Sequence, residues 1–336
     1  MSFITFGELL LRLMPPNYQK FQQAHRFDIQ FGGAEANVAI GLSGLGINTS
    51  MITALPDNDL GQTVIQMLKK YDVETRYIQK GEGRLGLYYM EKGIAFRPSQ
   101  IIYDRDYSLF TKMRYDDFQF ENAFKHHHWF HFTGITPALN DALFDTILQS
   151  VQLAKSMGLY VSCDLNFRAM LWDFQTAREK LSLLLPYVDL IFGYEPLSLP
   201  DGCGKDKKDG LSRLADETTL RPILQEIHDK YDIAYIAFTQ RKNFANSRNR
   251  LQGFLSSKNQ LVKTGIYESE ILDRVGTGDA FSVGVIYGIM KGLSMQETVN
   301  IAVNNMLYKH AVEGDYNFTN IDRIKDITEM ELDIKR

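Results

Sequence analysis

Short apolar runs alternate with amphipathic segments along most of the 336-residue chain. The segment SFITFGELLLRL at the start predicts a strand that continues past Gly7. FDIQFGGAEANVAIGLSGLG predicts a second strand, which leads through Gly32 and Gly33 into a helix from about Glu35 to Gly46. TSMITALPDN then has the pattern of a strand, and LGQTVIQMLKKYDV has the apolar spacing of a helix. This rhythm favours an α/β fold with a mostly parallel sheet covered by helices.

The rhythm is interrupted between residues 84 and 107. Short strand-like pieces lie on either side of Lys92-Gly93, a dipeptide that suits a hairpin turn. Together with residues 10–31, this region is expected to form a small β-sheet lid. The lid would be part of a single α/β domain that spans residues 1–336.

Strands and helices alternate again from WFHFTGI to YVDLIFGYE. Residues 200–222 are polar and dense in charge, which predicts a surface loop with some helix. Beyond them, DIAYIAFT predicts a buried strand and RLQGFLSSKNQLVKTGI predicts a hairpin-like region. Helices are expected over residues 278–292, 294–313 and from 320 onward.

Composition narrows the class of protein. A content of 44% hydrophobic and 23% charged residues is ordinary for a globular protein, and a net charge of -4 argues against a nucleic-acid partner. No apolar run approaches the roughly 18 residues of a membrane span, and the N-terminus lacks the pattern of a signal peptide. Cys163 and Cys203 lie far apart and match no metal spacing. These features predict a cytoplasmic protein with reduced thiols and no membrane partner.

The segment VGTGD, residues 275–279, carries the first chemical signal. It predicts a flexible turn that leads into a helix, where free backbone N–H groups and the helix dipole favour an anion. Gly276, Thr277 and Gly278 would form the anion hole, and Asp279 could accept a proton from a hydroxyl beside it. This is the arrangement of a phosphoryl-transfer enzyme. The alternative is a glycine-rich turn with Asp279 as an ordinary helix cap.

Two motifs favour the first interpretation. DRVGTGDAF resembles the C-terminal signature D-x-x-G-x-G-D-A-F of the ribokinase-like (PfkB) sugar kinases, and GGAEANVAIGLSGLG is similar to their N-terminal sugar-binding signature. The resemblance covers nearly the whole chain. It implies a three-layer αβα fold with a small β-sheet lid, and it implies ATP and Mg²⁺ as cofactors. A monovalent cation is compatible with the family.

Four further segments resemble the 2-keto-3-deoxygluconate kinases of this family: GLYYME, IIYDRDYS, DLNFRAMLW and KHAVEGDYN. The resemblance assigns contacts with the sugar acid to Tyr88 (in preference to Tyr89), Tyr103, Arg105 and Arg168. The residue types agree, because a carboxylate calls for the planar fork of arginine and a neutral hexose does not. Surface salt bridges are the alternative for both arginines.

Position along the predicted strands supports the same assignment. Tyr103 and Arg105 would share one face of a strand. Asn166 and Arg168 would share a face at a strand end, where α/β sheets usually bind ligands.

The N-terminal motif supplies further candidates for sugar binding. Gly32 and Gly33 are expected to let the backbone approach the substrate hydroxyls. Asn37, one turn into the helix, could donate a hydrogen bond to the sugar or could face solvent.

The nucleotide side departs from the family pattern. The family usually has an asparagine, in an N-x-x-E or N-E element, at the position of Tyr194. Without that asparagine, the role left for Glu195 is to bind a water molecule of the metal shell. Thr239-Gln240-Arg241 replaces the usual T-x-G, and Arg241 could contact ATP phosphates or be solvated. The resemblance places the adenine near the helix that carries Asn305.

The cluster HHHWFH suggests a metal site at first sight. Consecutive histidines point in different directions and no partner ligand lies at a suitable spacing, so a loop entering a strand is the preferred interpretation.

The sequence and the resemblance thus predict a kinase that phosphorylates the 5- or 6-hydroxyl of a keto-deoxy sugar acid, with the 6-hydroxyl of 2-keto-3-deoxygluconate as the favoured acceptor. A fructokinase or related ketose kinase is the alternative within the family. A non-catalytic sugar-acid sensor is the alternative from another class. A homodimer or higher homo-oligomer, joined through the lid sheet, is expected; the alternative is that the chain's own loops close the lid face.

Overall fold

The computed structural model describes residues 1–244, 248–317, 319–325 and 327. Its strands, in chain order, are β1 (Ser2–Phe6), β2 (Leu10–Met14), β3 (Asp28–Gly32), β4 (Asn48–Pro56), β5 (Val73–Glu74), β6 (Ile78–Gly81), β7 (Gly86–Glu91), β8 (Gln100–Asp104), β9 (Trp129–Thr133), β10 (Tyr160–Asp164), β11 (Leu190–Phe192), β12 (Tyr235–Asn243), β13 (Arg248–Ser257), β14 (Leu261–Lys263) and β15 (Tyr267–Glu270).

The helices between these strands are α1 (Ala34–Gly44), α2 (Asp59–Lys70), α3 (Leu109–Lys112), α4 (Phe120–Phe124), α5 (Ile135–Ala138), α6 (Asp141–Ser156), α7 (Phe174–Leu184), α8 (Glu217–Tyr231), α9 (Thr277–Met290), α10 (Met295–His310) and α11 (Ile321–Ile324). Over the described ranges, none of them has the length and apolar character that crossing a bilayer requires.

The main sheet has the predicted parallel core. Its strands lie in the order β14-β13-β12-β11-β10-β9-β1-β4-β5, and every pairing from β12 to β5 is parallel. The edge beyond β12 is antiparallel, because β13 returns along β12 and then pairs with β14 and β15. Helices cover both faces: α6, α7 and α8 pack on one, and α1, α9 and α10 pack on the other. The three-layer αβα prediction is confirmed.

A separate small sheet has the order β3-β2-β7-β8. Its strands fall within the two regions, 10–31 and 84–107, that the sequence assigns to a lid, except that β3 extends one residue further, to Gly32. The antiparallel pairing of β7 and β8 agrees with the predicted hairpin. The connection, however, is a loop over residues 92–99 and not a tight turn at Lys92-Gly93.

The single strand predicted across Gly7 is wrong. The chain leaves the main sheet after Phe6 and enters the small sheet at Leu10. A Cβ atom on Gly7 would lie 2.2 Å from the carboxyl carbon of Glu35, so glycine at this position leaves room for the buried acid. At this break the chain passes from the main sheet to the small sheet, beside the site described below.

The prediction of a surface loop with some helix over residues 200–222 is incomplete. Helix α8 begins inside that stretch and buries one apolar face against the main sheet. The residues on this face follow helical spacing: Leu220, Leu224, Ile227 and Tyr231. Asp216 caps the helix by accepting a hydrogen bond from Thr219 N at 2.9 Å. The polar density of the preceding residues hides this pattern.

Candidate active site

A cavity of about 510 Å³ lies between the small sheet and the ends of the main-sheet strands. The carboxyl ends of β9, β10 and β12 contribute to it, as expected for a parallel sheet. The structure brings most of the predicted site residues together here: Gly32, Gly33, Asn37, Tyr88, Tyr103, Arg105, Asn166, Arg168, Arg241, Gly276, Thr277, Gly278 and Asp279.

Two helices begin at the wall of this cavity. Gly33 is the cap of α1 and Gly276 is the cap of α9, so both positive helix ends face the same space. Gly276 has φ of 74°, and a Cβ atom there would lie 1.7 Å from the carbonyl oxygen of Asp315. Only glycine fits both constraints. The local structure therefore suits an anion, which helix N-termini bind through their free N–H groups.

Asp279 lies in the first turn of α9 and is half-buried. Burial raises the pKa of its carboxyl to about 7, and the nearby Asp164 adds to the shift. Asn37 opposes it by donating a hydrogen bond from Nδ2 to Asp279 Oδ2 at 2.7 Å. Asn37 is itself buried, which excludes the solvent-facing alternative. A carboxyl group with a pKa near neutrality is suited to general base catalysis.

Two further acids lie at the cavity wall. Burial raises the pKa of Glu35 to about 7, although its Oε1 accepts hydrogen bonds from Thr133 N at 3.1 Å and Thr133 Oγ1 at 2.8 Å. Burial also raises the pKa of Asp164 to about 6, against the opposing charge of Arg168. Asp164 accepts a hydrogen bond from Asn166 N at 3.0 Å, which holds the end of β10. Sequence reasoning selects neither acid.

The small sheet presents an aromatic and cationic wall. Tyr88 and Tyr103 are paired across β7 and β8, with ring centroids 5.9 Å apart. The Arg105 guanidinium lies 5.7 Å from the centroid of the Tyr103 ring. Its Nε donates to Glu8 Oε2 at 2.9 Å, and Ser108 Oγ donates to the other oxygen of Glu8. Arg105 is thus held by a buried carboxylate, which no local sequence pattern reveals.

A buried ion pair joins the small sheet to the glycine-rich loop. The fully buried Arg12 on β2 contacts Asp315 through Nη1, and its Nη2 lies 3.1 Å from Asp273 Oδ2. Asp315 lines the cavity and accepts a hydrogen bond from the Tyr88 hydroxyl at 2.6 Å. Asp273 accepts hydrogen bonds from Val275 N at 3.0 Å and from Gly314 N at 3.1 Å. The segment KHAVEGDYN contains Asp315, but the sequence does not single this residue out.

Three predicted site residues lie outside the cavity lining. Thr239 supports Arg241, since its Oγ1 accepts a hydrogen bond from Arg241 Nε at 2.9 Å. Asn305 is buried and donates from Nδ2 to Ala280 O at 2.7 Å, which ties α10 to the first turn of α9.

Glu195 is the third of these residues. It pairs with Arg178 at 3.4 Å and with Lys208 at 3.6 Å. Burial raises the pKa of the Glu195 carboxyl, and these two cations lower it.

The histidine cluster is structural. His131 lies buried in β9, where burial lowers its pKa to about 3 and its Nδ1 is 2.8 Å from Ser162 Oγ. His127 lies 2.8 Å from Ser50 Oγ through Nε2. Within the described part of the chain, no group of three or more candidate ligands could hold a metal ion.

A carboxylate of raised pKa beside a glycine-rich helix N-terminus, in a cavity rich in arginine, defines an arrangement for phosphoryl transfer to a hydroxyl group. The α/β fold and the covering small sheet add an enclosed space for a small polar acceptor. The class indicated by fold and site together is a small-molecule kinase.

Comparisons with known proteins give the family. Residues 2–196 match the model of the pfkB family carbohydrate kinase. A crystal structure of a 2-dehydro-3-deoxygluconokinase from Thermotoga maritima superposes with a TM-score of 0.90 at 33% identity, covering 98% of this chain and 100% of that one. A 2-dehydro-3-deoxygalactonokinase of Haloferax volcanii is 29% identical over 97% of this chain and 96% of its own length. A 2-dehydro-3-deoxygluconokinase of Bacillus subtilis is 27% identical over 88% of this chain and 85% of its own length.

The chain therefore belongs to the pfkB family of carbohydrate kinases. The ribokinase-like fold and the identification of the chain as a carbohydrate kinase are both confirmed. A non-catalytic sensor is no longer needed to explain the site.

Proposed function

We propose that the protein transfers the γ-phosphoryl group of ATP to the 6-hydroxyl of 2-keto-3-deoxygluconate, the sugar acid also called 2-dehydro-3-deoxygluconate. The observation that carries the proposal is the convergence of Asp279, the α9 N-terminus and the Arg105 and Arg168 guanidiniums in one cavity. The names of the full-length relatives from Thermotoga, Haloferax and Bacillus support an acidic keto-deoxy sugar as the acceptor.

In the proposed reaction, Asp279 accepts the proton of the acceptor hydroxyl, which then attacks the phosphoryl group. The backbone N–H groups of residues 276–278 stabilise the negative charge that develops on the transferred group. Asn37 holds the Asp279 carboxylate in place through its 2.7 Å hydrogen bond. Closure of the small sheet over the cavity would exclude water, which competes with the sugar as acceptor.

The residues present fit a nucleotide triphosphate. In the described ranges, Arg241 forms no ion pair, and it lines the cavity beside the anion hole, with its Nη1 3.5 Å from Thr277 Oγ1. Mg²⁺ bound to ATP would neutralise phosphate charge during transfer. Glu195 is a poor candidate for the metal, because Arg178 and Lys208 already pair with it. We propose that the nucleotide brings the ion with it, and that Asp164, an acid of the cavity wall at the end of β10, would contribute to holding it. Dependence on a monovalent cation and a cytoplasmic location stay predictions.

The choice of an acidic sugar rests on charge. Arg168 follows β10 at the sheet edge, and its described hydrogen bond goes only to the carbonyl oxygen of Phe167 at 3.3 Å. Its guanidinium therefore keeps donors for a ligand carboxylate. Arg105 is oriented by Glu8 and keeps part of its guanidinium for the same carboxylate. A neutral ketose would leave Arg168 without an acidic partner.

A coupled kinase assay across keto-deoxy acids of both C4 configurations, fructose and nucleosides tests this function. We expect turnover of the keto-deoxy acids. Arg168→Gln is expected to raise KM for the acid by about 10- to 100-fold, since a hydrogen bond to a charged group contributes about 1.5–3 kcal/mol. Arg213→Gln, which alters an exposed arginine, is the matched control. Efficient turnover of fructose with none of the acids would replace the proposal with a ketose kinase.

We propose that the protein self-associates through the small sheet. One row of apolar residues crosses all four strands in register: Ile29, Leu13, Tyr89 and Ile102. The two residues at the ends of the row, Ile29 and Ile102, are 59% and 53% exposed. An apolar row at a sheet surface is typical of an interface. In sedimentation velocity experiments we expect a dimer or larger species for the parent protein and a monomer for Ile102→Lys. A parent protein that sediments as a monomer at micromolar concentration would disprove the idea.

A further inference from the structure

We infer that Arg241 and Arg274 form a guanidinium pair that binds the phosphoryl group undergoing transfer. The inference rests on the proposed function and extends it, because Arg274 is not among the residues that the sequence singles out. Both residues line the cavity that holds Asp279.

Arg241 lies directly at the anion hole. It extends from β12, and its Nη1 is 3.5 Å from Thr277 Oγ1. Its Nη2 lies 3.8 Å from the position that a Cβ atom on Gly278 would take. Thr239 fixes the direction of the side chain through the 2.9 Å hydrogen bond to Arg241 Nε. The free edge of the guanidinium therefore lies where the α9 N–H groups would hold an anion.

Arg274 lies at the mouth of the same site. It stands between β15 and α9, on the segment that leads into the anion hole. It lines the active-site cavity and also a neighbouring cavity of about 710 Å³, which is bounded by the 92–99 loop and by Asn243 and Phe244. Its side chain thus occupies the junction of the two spaces, on the route by which a polyanion would reach Asp279.

The charge balance around the pair indicates a missing anion. Two other arginines near the cavity are neutralised by carboxylates, Arg12 by Asp273 and Asp315, and Arg105 by Glu8, while Arg168 is assigned to the sugar carboxylate. Throughout the described chain, neither Arg241 nor Arg274 forms such an ion pair. Two guanidiniums without bound carboxylates repel each other, and a phosphoryl group would relieve this repulsion.

The titratable groups around Arg241 and Arg274 do not supply the negative charge that would balance the two guanidiniums. Burial, with a smaller contribution from Arg274, lowers the pKa of Arg241 to about 10, while Asp164 and Asp279 act in the opposite direction. His310 is buried nearby, and burial together with Arg241, Arg274 and Lys309 lowers its pKa to about 4, so it is neutral. Arg241 therefore remains charged at neutral pH, and among the described residues Asp164 and Asp279 act on its charge without forming an ion pair with it. Burial also lowers the pKa of Arg274.

A phosphoryl group fits this pair better than the sugar carboxylate does. The carboxylate side of the cavity is assigned to Arg105 and Arg168, near the small sheet and the end of β10. Arg241 instead lies over Gly278, where the transferred group must pass between the nucleotide and the acceptor hydroxyl. Guanidinium groups in this position stabilise the charge on the phosphoryl oxygens in the transition state.

The test uses Arg241→Gln, Arg274→Gln and the double variant in the full-length protein. Each single variant is expected to lower kcat by about 10²-fold or more, because a guanidinium on the transferred group contributes a factor of about 10³–10⁵ in other phosphoryl-transfer enzymes. Isothermal titration calorimetry should show a larger loss of affinity for ATP than for ADP. Affinity for the sugar acid should stay within about threefold of the parent. Arg213→Gln is the control for loss of one exposed arginine.

Three outcomes would overturn the inference: a kcat within threefold of the parent in both single variants, an equal loss of affinity for ATP and ADP, or a loss confined to the sugar acid. Addition of guanidinium ion at millimolar concentration to Arg274→Ala provides a second check, since partial recovery of kcat is expected if a cation is needed there. A merely structural role would lower the melting temperature and would not respond to the added ion.

Failure of the inference can be told apart from failure of the proposed function. If the parent phosphorylates another sugar and not a keto-deoxy acid, the substrate proposal fails, and the ATP and ADP affinities of the variants still decide the role of the pair. If the parent phosphorylates the acid and both single variants keep its kcat, only the guanidinium pair is rejected.

Discussion

Asp279→Asn is expected to lower kcat for sugar phosphorylation by about 10²–10⁴-fold, the usual contribution of general acid–base catalysis. The amide cannot accept the proton of the acceptor hydroxyl. Sugar affinity should remain within a few-fold of the parent, because the oxygen of the substituted amide can still accept the hydrogen bond from Asn37 that Asp279 accepts at 2.7 Å. Steady-state kinetics and calorimetry with the sugar acid separate these two effects.

The pH dependence provides a sharper signature of the same residue. Burial raises the pKa of Asp279 to about 7, and only the deprotonated form acts as a base. In the parent, kcat/KM should therefore fall as the pH drops below about 7 and level off above it. The asparagine variant should lose this step. Asp229→Asn, an exposed aspartate on α8, is the control and should keep both rate and pH profile. A variant at position 279 with more than a tenth of the parent kcat would contradict the assignment of the base.

Arg12→Met is expected to lower the free energy of unfolding by about 3–5 kcal/mol. Arg12 is fully buried and serves both Asp273 and Asp315. Removal of the guanidinium leaves two buried carboxylates without a cation, and their desolvation is no longer offset. Denaturant unfolding monitored by tryptophan fluorescence measures the change.

The effect of Arg12→Met should depend on pH. Burial already raises the pKa of Asp315, and loss of Arg12 removes an interaction that opposes the shift. The folded variant then binds a proton more readily than the unfolded chain, so its stability falls as the pH rises. The loss is expected to be smaller at pH 5 than at pH 8. Arg76→Met is the control, because its pair with Glu74 is exposed and contributes at most about 1 kcal/mol. An equal loss for the two variants would contradict the buried-pair argument.

Local patterns in the sequence predict the catalytic half of the site well. The two glycine motifs mark the N-termini of α1 and α9, and the structure brings both to one cavity. This is possible because a glycine turn, a helix start and an adjacent acid are encoded within a few residues. The alternation of Tyr103 and Arg105 places both on the same wall for the same reason.

The ion pairs that support the site cannot be predicted from local sequence patterns. Glu8 and Arg105 are 97 residues apart in the chain, and Arg12 and Asp315 are 303 residues apart. No spacing rule connects such pairs, because the fold alone decides that they meet. The steric requirement for glycine at position 7 is hidden for the same reason, since it comes from the distant side chain of Glu35.

Helix α8 is predicted only in part, since some helix is expected within residues 200–222 but none is assigned between residue 222 and the strand DIAYIAFT. Its apolar spacing from Leu220 to Tyr231 is present in the sequence, but the charged residues before it favour a surface loop. A scan for periodicity that ignores overall polarity would find it.

The close packing of Gly276 against the Asp315 backbone bears on attempts to engineer the enzyme. A methyl group on Gly276 has no room at this contact, so the backbone of residues 314–315 and the glycine turn have to keep their relative positions. Libraries that randomise residues 314–317 to change the acceptor sugar should therefore yield mostly inactive clones. Substitutions at Tyr103 and Ile101 on β8 reach the same cavity from a separate sheet, and they offer a better starting point for altered specificity.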